Sequence, residues 1–380
     1  MLREVGVAMA PESVSLLDAD GRVLAESISA DRDYPPFARS ARDGFAVKAE
    51  DLPGQLKIIG EVRAGQQFTG SVQTGQAVEI MTGAPLPLGA NAVVMVEHCV
   101  RDGELVSIEK TALAGENFSP RGCETKAGEM VLGAGHRIGY SEIALLASVG
   151  RRNVNVYRQP RVAIIATGDE IVEISETPLD FQIRNSNALS LAAQVRRAGG
   201  VPQILPIARD NQESTRTQIA TGLHADLLLL SGGVSAGKYD IVEKVLASFG
   251  AEFFFDRVLI QPGAPLVFGK ATSKFFFGLP GNPASTMVTF EVFARGAIER
   301  MQGIPEPDLP ILRAKLLRPF KQKTGLTRFL PAVLTHDGIA PVKSQGSGDV
   351  VALASANAYL VTDPAREQWA AGDDIQVLMK

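Results

Sequence analysis

Leu227-Leu228-Leu229-Leu230-Ser231-Gly232-Gly233-Val234-Ser235-Ala236-Gly237-Lys238-Tyr239-Asp240 reads as a strand running into a glycine- and serine-rich turn that opens a helix. Four consecutive leucines are the pattern of a strand covered on both faces. Ser231, Gly232, Gly233, Ser235 and Gly237 let the backbone fold tightly and aim N–H groups outward, and the helix N-terminus adds a partial positive charge. Asp240 and Glu243 stand at capping-box spacing, Ile241, Val242, Val245, Leu246 and Phe249 form an apolar stripe, and Gly250 supplies the stop. Strand, glycine turn and helix in this order make an anion cradle in an α/β domain. The same turn also serves plain close packing of strand on helix.

From Arg161 to about Arg300 the chain repeats strand, turn and helix. Val162 to Ala166 is a buried strand ending at Thr167-Gly168-Asp169-Glu170, and Asn187 is placed to cap a helix through Ala198 that Gly199-Gly200 terminates. Val201 to Ile207 is the next strand, and Asp210 and Glu213 repeat the capping-box spacing before a helix reaching Leu223. A second glycine turn, Gly278-Leu279-Pro280-Gly281-Asn282-Pro283-Ala284-Ser285, follows the apolar Phe275 to Phe277, with Asn282 suited to the N-cap and Pro283 to the first helical position. Alternating strands and helices imply a parallel sheet, whose ligands sit beyond the carboxyl ends of its strands. Thr167 to Glu170, Asp210 and Ser231 to Asp240 are therefore expected to converge.

The flanks differ. Residues 30 to 127 carry short apolar runs broken by Gly65, Gly70, Gly75, Gly83, Gly89 and Gly103, which suits antiparallel strands, and residues 308 to 380 also read as strands and turns. Pro305, Pro307 and Pro310 mark the border of the tail. A chain of 380 residues implies about two to four domains. A net charge of −4 gives no basic field for nucleic acid, and no stretch is long and apolar enough to span a membrane. Met1 to Ala10 lacks a secretory pattern, so a cytoplasmic location is expected. Cys99, Cys123 and four scattered histidines fit neither a disulfide framework nor a zinc site.

Taken together, the motifs resemble the molybdopterin molybdenumtransferase family, the molybdenum-insertion proteins of molybdenum-cofactor biosynthesis, related to the gephyrin E domain. The matching residues are Pro35-Pro36-Phe37, Ser40 to Ala46, Ile80 to Pro87, Arg121-Gly122, Lys126 to Glu129, Ala166 to Glu170, Asn185-Ser186-Asn187, the opening loop, Gly278 to Pro283, Arg328-Phe329, Gln345 to Gly348 and Ala356-Asn357. The resemblance implies a multidomain α/β and β protein of four parts. These are a linking domain (1–29 with 128–158), a β-rich inserted domain (30–127), an α/β substrate-binding domain with a mostly parallel sheet (159–307), and a small C-terminal β-barrel domain (308–380). It also implies a homodimer with its cleft between subunits, and a reaction in which adenylylated molybdopterin and molybdate yield molybdenum cofactor with Mg²⁺-dependent release of AMP. Molybdopterin adenylyltransferase and molybdoenzymes are the implied partner proteins.

The residues carried over as catalytic are Asp43, Thr82, Glu124, Glu170, Asp210 and Asp240, of which Glu170, Asp210 and Asp240 form the metal set. Substrate contacts fall to Ser231, Gly232, Gly233, Ser235, Gly237, Pro262, Gly263, Pro280, Asn282, Pro283, Ser285, Arg328 and Ser347. Asp210 and Asp240 serve equally well as helix caps, and Asp43 and Thr82 as turn formers. The chain departs from the family at Gln261-Pro262-Gly263-Ala264-Pro265, where two lysines that help hold molybdate are replaced. Each lost charge-assisted hydrogen bond is worth roughly 1.5 to 3 kcal/mol, unless Arg328, Lys270 or Lys238 substitutes. Cys123-Glu124 replaces a Glu-Asp pair, Arg42 a methionine and Phe45 a tyrosine. Two rival readings follow: a divergent paralogue that binds a pterin nucleotide or another phosphorylated ligand without inserting metal, or a scaffold for molybdoenzyme assembly.

Overall fold

The computed structural model describes residues 1–6, 8–233 and 241–380, in two compact units. The first unit comprises residues 1–25, 135–139 and 154–380; the second comprises residues 26–134 and 140–153.

At the centre of the first unit is a sheet with the strand order Val201–Ile204, Arg161–Ala166, Leu227–Ser231, Lys274–Leu279, Val267–Ala271, Glu252–Phe255. The first four strands run parallel, Val267–Ala271 runs antiparallel to Lys274–Leu279, and Glu252–Phe255 runs antiparallel to Val267–Ala271. The leucine run divides between two cores because successive side chains leave opposite faces. Leu227 and Leu229 join Leu191, Ala192 and Val195 of the Ser186–Arg197 helix, while Leu228 and Leu230 join Ile219, Val242 and Leu246 from the helices on the other side. Both faces are thus covered, as an unbroken apolar strand requires. The strand after the first helix ends at Ile204, short of the expected Ile207.

The tail builds its own sheet in the order Ile260–Gln261, Thr327–Thr335, Ala358–Val361, Asp374–Met379, Ile311–Lys315, with Gly338–Pro341 added as a hairpin on Thr327–Thr335. Its first strand comes from the α/β segment and runs parallel to Thr327–Thr335, with Gln261 opposite Arg328. Ile260, Val288, Phe329, Tyr359 and Leu378 join this sheet to the Pro283–Thr289 helix in one core.

In the second unit, six strands take the order Ala92–Met95, Gly44–Val47, Gln76–Ile80, Gly54–Val62, Leu105–Ile108, Cys99–Asp102. All neighbours are antiparallel except Gln76–Ile80 with Gly54–Val62, which are parallel. The expectation of antiparallel strands is corrected at that pair. It arises because residues 63–75 carry the chain back to the starting edge instead of turning as a hairpin, and buried Val72 packs beside Val62 and Val78 on the way. Gly44 admits no side chain, since a Cβ there would sit 1.9 Å from the Val94 carbonyl oxygen.

Candidate functional site

Three strand ends are level in the first unit: Ala166 pairs with Ser231, and Ser231 with Leu279. The turns that follow therefore lie side by side around a cavity of about 730 Å³. Thr167, Gly168, Glu170, Asp210, Ser231, Gly232, Gly233, Pro280, Gly281, Asn282 and Pro283 line it, together with Ile183 to Asn187 and Ile241. Gly232 and Gly233 have φ of +91° and +64°. A Cβ on Gly232 would stand 2.8 Å from the Thr167 carbonyl oxygen, and one on Gly233 2.7 Å from Thr167 Oγ1. Glycine is required there both for the backbone angle and for the close approach. The two glycine turns touch, because Gly232 N donates to the Leu279 carbonyl at 3.1 Å and a Cβ on Gly281 would meet Gly232 Cα at 3.5 Å.

Asn187 ties these turns together. Its Nδ2 donates to Ser231 Oγ at 2.9 Å and to the Gly281 carbonyl at 2.7 Å, with Thr286 Oγ1 at 3.3 Å. This corrects its reading as a helix cap. The N-cap is Asn185, whose side chain accepts from Ala188 N at 3.2 Å, so the helix begins two residues earlier than expected and frees the Asn187 amide. Asn187 Oδ1 and Thr167 Oγ1 are buried and have no hydrogen-bond partner among the described residues.

The capping assignment of Asp210 is corrected in the same way. Asn211 caps the Gln212–Gly222 helix by accepting from Ser214 N at 2.8 Å. Asp210 instead donates its N–H to Asp169 Oδ1 at 3.1 Å and accepts the Asp169 N–H on its own carboxylate at 3.4 Å, and both Asp210 and Glu170 border the cavity. Asn282 does occupy an N-cap position before Pro283, but its side chain makes no capping bond and borders the cavity. Ser285 is buried inside the helix and stands back from the lining. Sequence reasoning missed Arg184 altogether, which is the cationic member of the lining among the described residues. Its place just before Asn185-Ser186-Asn187 was the only available signal.

A second cluster lies against the Pro283–Thr289 helix. Gly263 packs on Thr289 so tightly that a Cβ would stand 2.4 Å from Thr289 Cγ2. The Ser347 carbonyl accepts from Ala284 N at 2.9 Å. The Gln261–Pro262 peptide is cis, and the Gln261 side-chain oxygen accepts from the Arg328 guanidinium. The residue that stands where a lysine was expected thus occupies an Nη group of Arg328. Lys270, one possible replacement cation, sits over the Phe275 ring at 5.6 Å. Ser235, Gly237, Lys238 and Asp240 lie outside the described residues.

Asp43, Thr82 and Glu124 belong to the second unit. Asp43 Oδ1 accepts from Thr82 N at 2.6 Å and from Thr82 Oγ1 at 2.7 Å. The Thr82 N–H, then its hydroxyl, hold the Asp43 carboxyl below the usual carboxylate range against a smaller opposing effect of desolvation. Glu124 receives Arg39 Nη2 at 2.7 Å on the surface. Among the described residues no group of three or more His, Cys, Asp or Glu side chains could hold a metal ion. The pair Glu170 and Asp210 suits a hard cation of the Mg²⁺ type, which takes one or two carboxylates and completes its shell with water and substrate phosphate.

Comparison with known proteins covers nearly the whole chain. Residues 1–150 match the MoeA N-terminal region (domain I and II), 163–300 a probable molybdopterin binding domain, and 313–380 the MoeA C-terminal region (domain IV). The molybdopterin molybdenumtransferase of Staphylococcus epidermidis is 34% identical over 379 residues, covering 97% of this chain and 90% of the relative. The protein of the same name from a Nostoc species is 35% identical over 387 residues, covering 97% and 88%. The crystal structure of the molybdopterin biosynthesis moeA protein from Pyrococcus horikoshii OT3 superposes with a TM-score of 0.82 at 28% identity, over 100% of this chain and 97% of that one.

Proposed function

The chain belongs to the MoeA family of molybdopterin molybdenumtransferases, and from that premise we propose that it takes molybdenum from molybdate into adenylylated molybdopterin with release of AMP. It is a transferase of molybdenum-cofactor biosynthesis. The observation that carries the finer reading is the cleft where Asn187 holds two glycine turns together while Glu170 and Asp210 line the same cavity.

Backbone N–H groups of Gly233, Gly281 and Asn282 in the two turns suit the phosphoanhydride that joins AMP to the pterin phosphate. Cleavage of that bond by water gives AMP and the pterin phosphate monoester, so the turns keep both fragments in place as negative charge builds on the leaving oxygen. Mg²⁺ held by Glu170 and Asp210, with Asp240 as the third carboxylate, would neutralise part of that charge. Pro262, Gly263, Arg328 and Ser347 receive the oxyanion, by resemblance. By the same resemblance the protein is a homodimer with its cleft between subunits, and Asp43, Thr82 and Glu124 take part in catalysis. The four-part division, the small β-barrel of the tail and a cytoplasmic location belong to the same proposal.

A second reading draws on the pairing of Gln261 with Arg328. With two lysines absent and the arginine already engaged, the chain binds and cleaves the adenylylated pterin but holds molybdate weakly. Purified protein supplied with adenylylated molybdopterin, Mg²⁺ and molybdate tests both. AMP release with stoichiometric molybdenum on the pterin supports the first, AMP release without molybdenum the second, and no AMP release contradicts the cleavage step common to both.

A further inference from the structure

Arg184 is the one cationic side chain among the described residues lining the cleft, which also holds the carboxylates of Glu170 and Asp210. A ligand carrying phosphates meets two like charges in that cavity, and binding there needs a fixed positive charge. Arg184 ends the short strand Ile183–Arg184, which runs parallel to Ile171–Val172, and it immediately precedes Asn185, the N-cap of the twelve-residue Ser186–Arg197 helix. Its Nε donates to the Glu176 carbonyl at 3.1 Å. That bond steadies the stem of the side chain and uses none of the Nη hydrogens. The ion pairs of the described residues leave Arg184 out, whereas Arg158 and Arg295 are engaged by Asp226 and Glu299.

We propose that Arg184 is a substrate-binding residue that grips a phosphate group of the adenylylated substrate. The assignment rests on the function proposed above. A guanidinium offers two parallel donors that match the spacing of phosphate oxygens, and the dipole of the Ser186–Arg197 helix has the same sign where the arginine enters. A merely bracing arginine would act through Nε and Glu176 alone. It would change stability without changing how the affinity of an anion responds to salt.

The test compares wild type with Arg184→Gln and Arg184→Lys in Mg²⁺-dependent AMP release from adenylylated molybdopterin, and in AMP binding by calorimetry. Arg184→Gln should raise KM at least about tenfold with kcat nearly unchanged, as expected when a charged contact made equally in ground and transition states is lost. Arg184→Lys should recover part of the loss, and the salt dependence of KM should flatten in Arg184→Gln. A loss of AMP affinity places the contact on the nucleotide phosphate; intact AMP affinity with raised KM places it on the pterin phosphate. Unchanged KM and unchanged AMP affinity in Arg184→Gln overturn the proposal. If wild type releases no AMP, the catalytic reading fails, and calorimetry alone decides: weaker AMP binding by Arg184→Gln upholds the grip, whereas equal or undetectable binding removes it. Should Arg184→Gln not fold, Arg184→Lys and the salt series carry the same decision.

Discussion

Asn187 Nδ2 lies 2.9 Å from Ser231 Oγ, so the second residue of a helix holds the last residue of the central strand. The same nitrogen reaches the Gly281 carbonyl, which can only accept, and this fixes the amide orientation. Asn187→Asp keeps the shape of the side chain but removes both donors and turns an oxygen toward that carbonyl. Losing these bonds, about 1.5 to 3 kcal/mol, should lower kcat/KM for AMP release about ten- to a hundredfold. Kinetics beside a thermal unfolding scan would check this, and a variant with wild-type kcat/KM would remove Asn187 from the site.

Gln261 faces Arg328 across a parallel strand pair and accepts its hydrogen bond. In Gln261→Lys with Ala264→Lys, an ammonium takes that place beside the guanidinium. Without oxyanion, the like charges should lower the unfolding midpoint by about 2–4 °C, roughly 1 kcal/mol for a domain of this size. Molybdate should restore it, and the concentration giving half-maximal molybdenum transfer should fall at least about tenfold. A thermal shift titration with molybdate reads both effects, and equal responses of the variant and wild type would count against an oxyanion at Gln261.

Asp43 and Thr82 share two hydrogen bonds in the second unit. Asp43→Ala and Thr82→Ala should each reduce AMP release, and the double variant should lose less than the two losses combined, because either change breaks the same contacts. Additive losses would mean that the two side chains act separately.

Asp226 sits at the opposite end of the sheet from the cleft, 9% exposed. Burial pushes its carboxyl up, but hydrogen bonds from Arg158 and Arg161 N and the charges of Arg158 and Lys274 outweigh this, so the net shift is downward. A depressed folded-state value stabilises the protein above the unfolded value of about 3.9, and that stability is lost as pH falls through the folded value. Urea unfolding midpoints should therefore drop below about pH 4 in wild type. In Asp226→Asn this part of the acid limb should be absent, with about 1–3 kcal/mol lost at pH 7. A variant whose midpoints fall with acid as steeply as those of wild type would contradict this.

Much of the α/β layout was legible because the strong signals there are local. Four leucines before a glycine turn and Asn-Pro at a helix start have few other uses. The caps were harder. Asn185-Ser186-Asn187 offers three residues able to cap, and the choice depends on which start lets Ala188, Leu191, Ala192 and Val195 face the sheet. Asp210 and Asn211 pose the same ambiguity, settled when Asp210 pairs with Asp169 on a neighbouring turn. Gln261 and Arg328 are 67 residues apart, and nothing local to either announces their pairing. Arg184 carries no motif of its own; its meaning comes from the segments between Thr167 and Pro283 that line the same cavity.

The most direct measurement is a single time course with wild-type protein, adenylylated molybdopterin, Mg²⁺ and molybdate, following AMP by chromatography and pterin-bound molybdenum by elemental analysis. AMP and bound molybdenum should appear together in equal amounts, and both should be lost in a Glu170→Ala, Asp210→Ala variant. AMP no higher than in a protein-free control, or full AMP release by that variant, would contradict this.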